Sequence, residues 1–188
     1  MTGFRRVVRV AAIVTAVGMT AAWGAAAPVT FSRPGLMTSI GQSSDIAIVK
    51  VMLNTQLKLG LEYKPTAQAA DLAGVKSLLL VVGASAKGLG AAGLDMDKEL
   101  ARTKALLAAA KAKGVRVMVL HTGGEARRGK TSNDLIDIVV PAADYVIVVA
   151  AGNKDKVFNT LAARRNVPVV EVDKIAAAGD AVKAVFKD

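Results

Sequence analysis

Residues 77–93 read SLLLVVGASAKGLGAAG, an apolar run followed directly by a glycine-rich segment. The run 76–82 is mostly apolar, which is typical of a central strand of a parallel sheet buried on both faces. Five further short β-forming segments lie along the chain, and amphipathic segments separate them. The predicted strands cover residues 36–40, 61–65, 76–82, 115–120, 145–150 and 167–172.

The segments between these strands have helical spacing and recognisable ends. We expect Asp95 to cap a helix that stops at Gly114. The predicted buried stripe of that helix consists of Leu100, Thr103, Leu107 and Ala110. The other predicted helices begin at Ser43 or Ser44 and run to 59, begin at 132 or 133 and end near 141, and cover 153–165 and 174–186, the last with a break at Gly179.

The alternation of strand and helix over residues 35–188 predicts one three-layer α/β/α domain with a doubly wound, mostly parallel sheet of five to six strands. The polar segment 61–65 contains Pro65, which suits an edge strand. The expected strand order is therefore 2-1-3-4-5-6, the flavodoxin-like order, with a Rossmann-like order as the alternative. Residues 28–34 form a short segment that precedes this domain.

The first 27 residues are unlike the rest of the chain. Arg5, Arg6 and Arg9 form a basic start, residues 10–23 are apolar and uncharged, and residues 24–27 are small. These are the three regions of a signal peptide. A retained membrane anchor is the alternative, but the run is short beside the roughly 20 residues that a span requires. We expect a periplasmic or secreted protein with no stable membrane insertion after cleavage.

The amino-acid composition excludes several kinds of functional site. The chain has no cysteine and one histidine, which excludes disulfides, thiol chemistry and a multi-histidine metal site. Asp45, Glu125 and His121 are too few and too scattered to predict a metal centre. The formal charge is +10, but no Lys/Arg run has interleaved aromatic residues, so we expect no nucleic-acid partner. The positive charge would help to attract a small anion.

Gly88-x-Gly90-x-x-Gly93 has the spacing of a dinucleotide-binding loop. In a true fingerprint the helix begins inside the motif and directs its N-terminus at the pyrophosphate. Here we expect the helix only after Gly93, and Asp95 would place a carboxylate where the phosphate should lie. We therefore predict no nucleotide and no other cofactor.

The predicted strand order makes strands 1 and 3 neighbours, and such sheets bind ligands at the crevice between the carboxyl ends of these strands. Three loops would meet there, at 41–45, 83–90 and 121–130. They contain glycines, hydroxyls at a helix N-terminus, and cations that suit a carboxylate or phosphate. The predicted ligand-binding residues are Gln42, Ser43, Ser44, Gly83, Ser85, Lys87, Gly88, His121, Gly123, Arg127 and Arg128.

Residues 38–45 (TSIGQSSD), 81–93 (VVGASAKGLGAAG) and 123–129 (GGEARRG) resemble a bacterial family catalogued as domain of unknown function 6305. The resemblance covers about residues 35–187. It implies an exported single-domain protein, and it brings no activity and no catalytic residues with it.

We expect binding rather than catalysis. The first hypothesis is a non-enzymatic domain that holds a small anionic metabolite, for an envelope transporter or sensor. The second is a serine hydrolase with Ser43 as nucleophile, His121 as base, and Glu125 or Asp45 as the orienting acid. Residue 45, where a nucleophile elbow has its second glycine, is aspartate, which argues against the hydrolase. The third hypothesis is a protein-docking module with no small ligand.

Overall fold

The computed structural model describes residues 29–187, so the predicted signal peptide lies outside the described residues. The strands of the main sheet are β1 (Gly35–Ile40), β2 (Glu62–Tyr63), β3 (Ser77–Val82), β4 (Arg116–His121), β5 (Tyr145–Val149) and β6 (Val169–Val172). They pair in parallel in the order β2-β1-β3-β4-β5-β6. The predicted α/β class and the predicted strand order are both confirmed.

Helices cover both faces of this sheet. They are α1 (Asp45–Lys50), α2 (Ala86–Ala91), α3 (Met96–Lys113), α4 (Lys130–Val139), α5 (Val157–Ala163) and α6 (Ile175–Val185). Helices α3, α4 and α5 pack on one face, and α1 and α6 pack on the other. All six residues of β3 are buried, because β3 lies between β1 and β4 and is covered on both faces. The doubly wound interpretation therefore holds.

The first helix differs from its prediction. It leaves α-helical geometry after Lys50 and continues as a π-helix, Val51–Gln56, instead of running to residue 59. Ser44 is at the N-cap position, but its side chain makes no capping hydrogen bond. The expected cap fails because Ser44 already has helical dihedral angles (φ −64°, ψ −10°), whereas a capping residue has extended ones. The neighbouring Ser43 hydroxyl donates to Asp45 instead.

Helix α3 has the predicted ends. The Asp95 carboxylate accepts a hydrogen bond from the Lys98 N–H, and Gly114 ends the helix with φ +66°. Its predicted buried stripe is partly wrong, because Leu100 and Leu107 are only half-buried. The residues that are buried along α3 are Glu99, Arg102, Thr103, Leu106 and Ala110. Two charged residues can take core positions here because they neutralise each other.

Three later helices also differ from prediction. Helix α4 begins at Lys130, two residues earlier than expected, because Gly129 turns the chain into it with φ +135°. Helix α5 is shorter than 153–165, because a 3-10 turn, Ala150–Gly152, precedes it and the Asn153 side chain accepts from the Phe158 N–H. Helix α6 is not broken at Gly179, which packs closely against Met52.

Two short strands at the ends of the described chain, Phe31–Ser32 and Phe186–Lys187, pair in parallel apart from the main sheet. The Phe31 ring stacks on Phe186 with 5.8 Å between centroids. In residues 29–187 none of the helices combines the length and the apolar character that a membrane crossing requires.

Candidate functional site

The crevice between the carboxyl ends of β1 and β3 is closed by backbone. The Ser43 N–H donates to the Gly83 carbonyl over 3.2 Å, and the Ser85 N–H donates to the Gly41 carbonyl over 2.8 Å. Gly41 has φ +97°, and a Cβ there would lie 2.6 Å from the Gly83 oxygen. The two loops are therefore in contact, and the space between β1 and β3 is filled.

Four of the predicted site residues gather around the Asp45 carboxylate. The Ser43 hydroxyl donates to Asp45 Oδ2 over 3.0 Å, and Arg127 Nε lies 3.5 Å from the same oxygen. Arg127 also donates to the Ser44 hydroxyl over 3.3 Å. Its stem crosses Gly123, where a Cβ would collide with it. The charge that was expected to hold an anion faces a carboxylate of the protein itself.

The glycine-rich segment contains a helix. The prediction that helix begins only after Gly93 is wrong, because Ser85 caps α2 by accepting from the Gly88 N–H over 3.1 Å. Gly88 lies inside α2, where a Cβ would collide with the Gln42 carbonyl oxygen. Gly90 is also within α2, and nothing lies near the position of its absent Cβ. Gly88 therefore serves the packing of α2 on the loop after β1, and Gly93, with φ +69°, follows the end of α2.

A buried ion pair was missed by the sequence analysis. Glu99 accepts from Arg102 over 2.7 and 2.8 Å and from the Gly41 N–H over 2.7 Å. Arg102 also donates to the carbonyls of Ser39 and Ala67. Burial alone would raise the pKa of Glu99, but hydrogen bonds from Arg102 and Gly41 and the charge of Arg102 bring it below its usual value. The pair joins α3 to the loop after β1.

The Gln42 amide belongs to the same cluster. Its Nε2 donates to Glu99 over 3.3 Å and to the Pro65 carbonyl over 3.2 Å, and its backbone has φ +56°. No signal in the sequence distinguishes Glu99 and Arg102 from an ordinary exposed i, i+3 pair on a helix.

His121 is completely buried, at 0% exposed. Its Nδ1 lies 3.0 Å from the Val82 carbonyl oxygen, and its Nε2 lies 3.2 Å from the Gly124 carbonyl oxygen. Burial lowers the pKa of His121; the two carbonyls oppose this, and the charge of Arg128 adds to it. A neutral imidazole can donate to only one of these carbonyls. The ring therefore lies between β3 and the loop that follows β4, is hydrogen-bonded to one of them, and does not reach solvent.

A groove of about 500 Å³ opens at the carboxyl edge of the sheet, between α2 and the first turn of α4. Leu89 and Met96 are on its apolar side, and Arg128, Lys130 and Thr131 are on its polar side. Ser132 lines it as well, with its hydroxyl accepting from the Ala84 N–H over 2.9 Å. Of the eleven predicted binding residues, Arg128 lines this groove.

Both cations in the groove have carboxylate partners. Arg128 forms an ion pair with Asp155 at 2.8 Å and also donates to the Gly152 carbonyl. Lys130 pairs with Asp134 at 2.8 Å. Lys87 is exposed on α2 and does not line the groove.

The backbone supplies the free donors of this groove. Helix α4 begins after Gly129, which has no side chain to cap it. The first bond into the helix runs from the Asn133 N–H to the Gly129 carbonyl. Among residues 29–187, nothing accepts from the N–H groups of Lys130, Thr131 and Ser132. These are the groups that make a helix N-terminus attractive to anions.

A second depression, of about 480 Å³, lies between α6 and the α1–π-helix segment, and it is apolar. Ile48 and Val51 are 49% and 48% exposed there. Nothing in the structure shows what covers it. As for metals, residues 29–187 contain no group of three or more His, Cys, Asp or Glu side chains that could hold an ion.

The fold and this edge define the class as a three-layer α/β/α domain with a groove beside the carboxyl ends of its strands. The model of a family described as "Domain of unknown function (DUF6305)" matches residues 32–186. The chain belongs to this family. Comparison with curated proteins and with solved structures finds no match.

Proposed function

We propose that this domain binds a small anion, a carboxylate or a phosphate, in the groove between α2 and α4. The observation that carries the proposal is the uncapped first turn of α4: residues 130–132 line a groove of about 500 Å³, and no acceptor among residues 29–187 bonds their N–H groups. Grooves of a few hundred cubic ångströms suit small ligands, and a helix N-terminus favours negative charge.

This groove is not the crevice predicted from the sequence, but the proposed ligand is still a small anion. It lies where the loops after β3 and β4 meet, whereas the loop after β1 is bound to the loop after β3 by backbone hydrogen bonds. The free hydrogen-bond donors of the groove favour a ligand that carries acceptor atoms. The three backbone N–H groups and the Thr131 hydroxyl favour an acceptor, and the paired cations Arg128 and Lys130 keep the surroundings positive or neutral, except for Asp95 on the α3 side.

We also propose that the domain is not an enzyme and that it is exported, by virtue of its N-terminal sequence, to serve an envelope transporter or sensor. The geometry gives little support to the hydrolase alternative. Ser43 donates to the carboxylate of Asp45, and both ring nitrogens of His121 face backbone carbonyls. The serine–histidine hydrogen bond that the hydrolase hypothesis requires is therefore not formed.

The proposal can be tested by introducing a carboxylate side chain at the N-terminus of α4. Thr131 is an exposed residue in the first turn of α4. Thr131→Glu should strengthen the helix by about 0.3–1 kcal/mol through the macrodipole while repelling an anionic ligand. Thr131→Gln is the matched control, because it has the same size and no charge. Binding is measured by NMR titration with acetate and with inorganic phosphate, following the amide signals of residues 130–132.

Saturable shifts of these amides in the parent and in Thr131→Gln, with loss in Thr131→Glu, would support the proposal. No saturable shift with either anion, or equal shifts in Thr131→Glu, would contradict it. A chain that binds neither anion would direct attention to the docking hypothesis, for which the apolar depression at Ile48 and Val51 is the surface to examine.

A further inference from the structure

The opposite edge of the sheet, where the strands begin, contains a cleft of about 580 Å³. It lies between the C-terminal end of α3, the start of β4, and the segments that follow α4 and α5. Three cations line it, Lys111, Arg116 and Arg165, together with one carboxylate, Asp144. Its remaining wall is apolar and includes Leu107 and Val115.

Among residues 29–187, no carboxylate lies within ion-pair distance of Lys111, Arg116 or Arg165. Asp144 lines the same cleft, where its Oδ2 accepts from the Val117 N–H over 2.8 Å, and it contributes one negative charge to the lining. This contrasts with the carboxyl edge, where every cation that lines the groove faces a carboxylate.

Two of the three cations also have a structural role in the fold. Lys111 lies in the last turn of α3, where a cation stabilises the helix macrodipole. Arg165 donates to the Pro141 carbonyl over 2.9 Å, at the end of the turn that follows α4. Arg116 has no such role, because it begins a strand and its exposed side chain has no partner among residues 29–187.

The three cations that line the cleft have the same sign, and a bound anion would offset their charge. The two arginines would offer such an anion planar, bidentate donors.

We propose that this amino-edge cleft binds an organic phosphate monoester. The phosphate would lie between Lys111, Arg116 and Arg165, and its organic part would lie against Leu107 and Val115. Phosphate monoesters carry nearly two negative charges at neutral pH and present several acceptor oxygens, which suits a cleft lined by three cations and one carboxylate. The apolar wall distinguishes this site from one that takes inorganic phosphate alone.

The first experiment is an NMR titration of the chain with phenyl phosphate, compared with inorganic phosphate. We expect saturable shifts of the amides of residues 114–117, and tighter binding of phenyl phosphate because of its ring. Arg116→Gln and Arg165→Gln should each weaken the binding of phenyl phosphate about tenfold. Lys104→Gln is the matched control: it removes one exposed charge from the same helix α3 without touching the cleft, and it should leave binding within about twofold.

A phosphate monoester can be a free metabolite or the headgroup of phosphatidic acid. Cosedimentation with vesicles of phosphatidylcholine, with and without phosphatidic acid, separates the two sources. Binding to the phosphatidic acid vesicles that is lost in Arg116→Gln supports the lipid source, and binding of phenyl phosphate alone supports the free one. Absence of both overturns the proposal. So does equal weakening by Lys104→Gln and Arg116→Gln, which would mean a general effect of net charge.

Binding in the amino-edge cleft can be tested separately from binding in the carboxyl-edge groove. Thr131→Glu alters the groove and leaves the cleft unchanged, so binding at residues 114–117 should persist in that variant. Conversely, Arg116→Gln should leave any shifts at residues 130–132 intact. Loss of both sets of shifts in either variant would contradict two separate sites.

Discussion

The ion pair between Glu99 and Arg102 is the contact whose loss should cost the most stability. The side chains are 0% and 3% exposed, and the closest approach is 2.7 Å. Glu99→Gln would leave the Arg102 guanidinium without a counterion. Both Glu99 oxygens accept from N–H groups, so the side-chain NH2 of the new glutamine would face another donor. Breaking a buried pair from one side costs about 3–5 kcal/mol. We expect that loss in the free energy of unfolding, out of roughly 5–15 kcal/mol for a domain.

The assay is urea unfolding, followed by far-UV circular dichroism, of the parent, Glu99→Gln, Arg102→Met and the double variant. If an uncompensated charge causes the loss, the double variant should lose no more than about 3–5 kcal/mol, because neither charge remains buried alone. Additive losses in the double variant would refute the reasoning. So would a loss below about 1 kcal/mol in Glu99→Gln, which is what an exposed pair contributes.

Three further predictions concern single positions. Burial lowers the pKa of His121 in the folded chain, so the unfolded chain binds the proton more readily. The melting temperature should therefore fall as the pH drops below about 6.5, and His121→Gln should flatten this part of the plot of melting temperature against pH. Gly88→Ala should lower the melting temperature by several degrees because its Cβ meets the Gln42 carbonyl, whereas Gly90→Ala in the same helix should leave it unchanged or raise it; equal calorimetric effects would contradict the packing role of Gly88. Asp95→Ala should cost about 1 kcal/mol in urea unfolding, because it removes the cap of α3, and a change within error would show that the cap does not matter.

The fold was accessible from the sequence because a doubly wound sheet leaves a strong pattern. The central strand β3 is buried on both faces and reads as an uninterrupted apolar run. The polar segment 61–65 with its Pro65 indicated that β2 is an edge strand, and the flavodoxin-like order was preferred to the Rossmann-like alternative. The errors lie where local geometry overrides propensity. The π-helical continuation of α1 and the early start of α4 after Gly129 depend on tertiary packing and on one unusual backbone angle.

The candidate site was less accessible, because residue type does not reveal which polar groups are already satisfied. Ser43, Arg127 and His121 are the residue types that a binding site would use. In the structure Ser43 and Arg127 share the Asp45 carboxylate, and backbone carbonyls surround His121. The strand order predicted correctly that the loops after β3 and β4 meet. It had no means of indicating that the loop after β1 would close against its neighbour.

The two edges of the sheet would favour different kinds of ligand, because different groups are unpaired at each edge. At the carboxyl edge, side-chain charges are paired within the protein, so the free donors are backbone N–H groups held in fixed positions by α4. At the amino edge, the cleft is lined by long cationic side chains that form no ion pair among residues 29–187. Backbone donors select a ligand by the position of its acceptor atoms, whereas exposed cations attract it by charge and are screened by salt. Binding in the amino-edge cleft should therefore depend on ionic strength more steeply than binding in the groove.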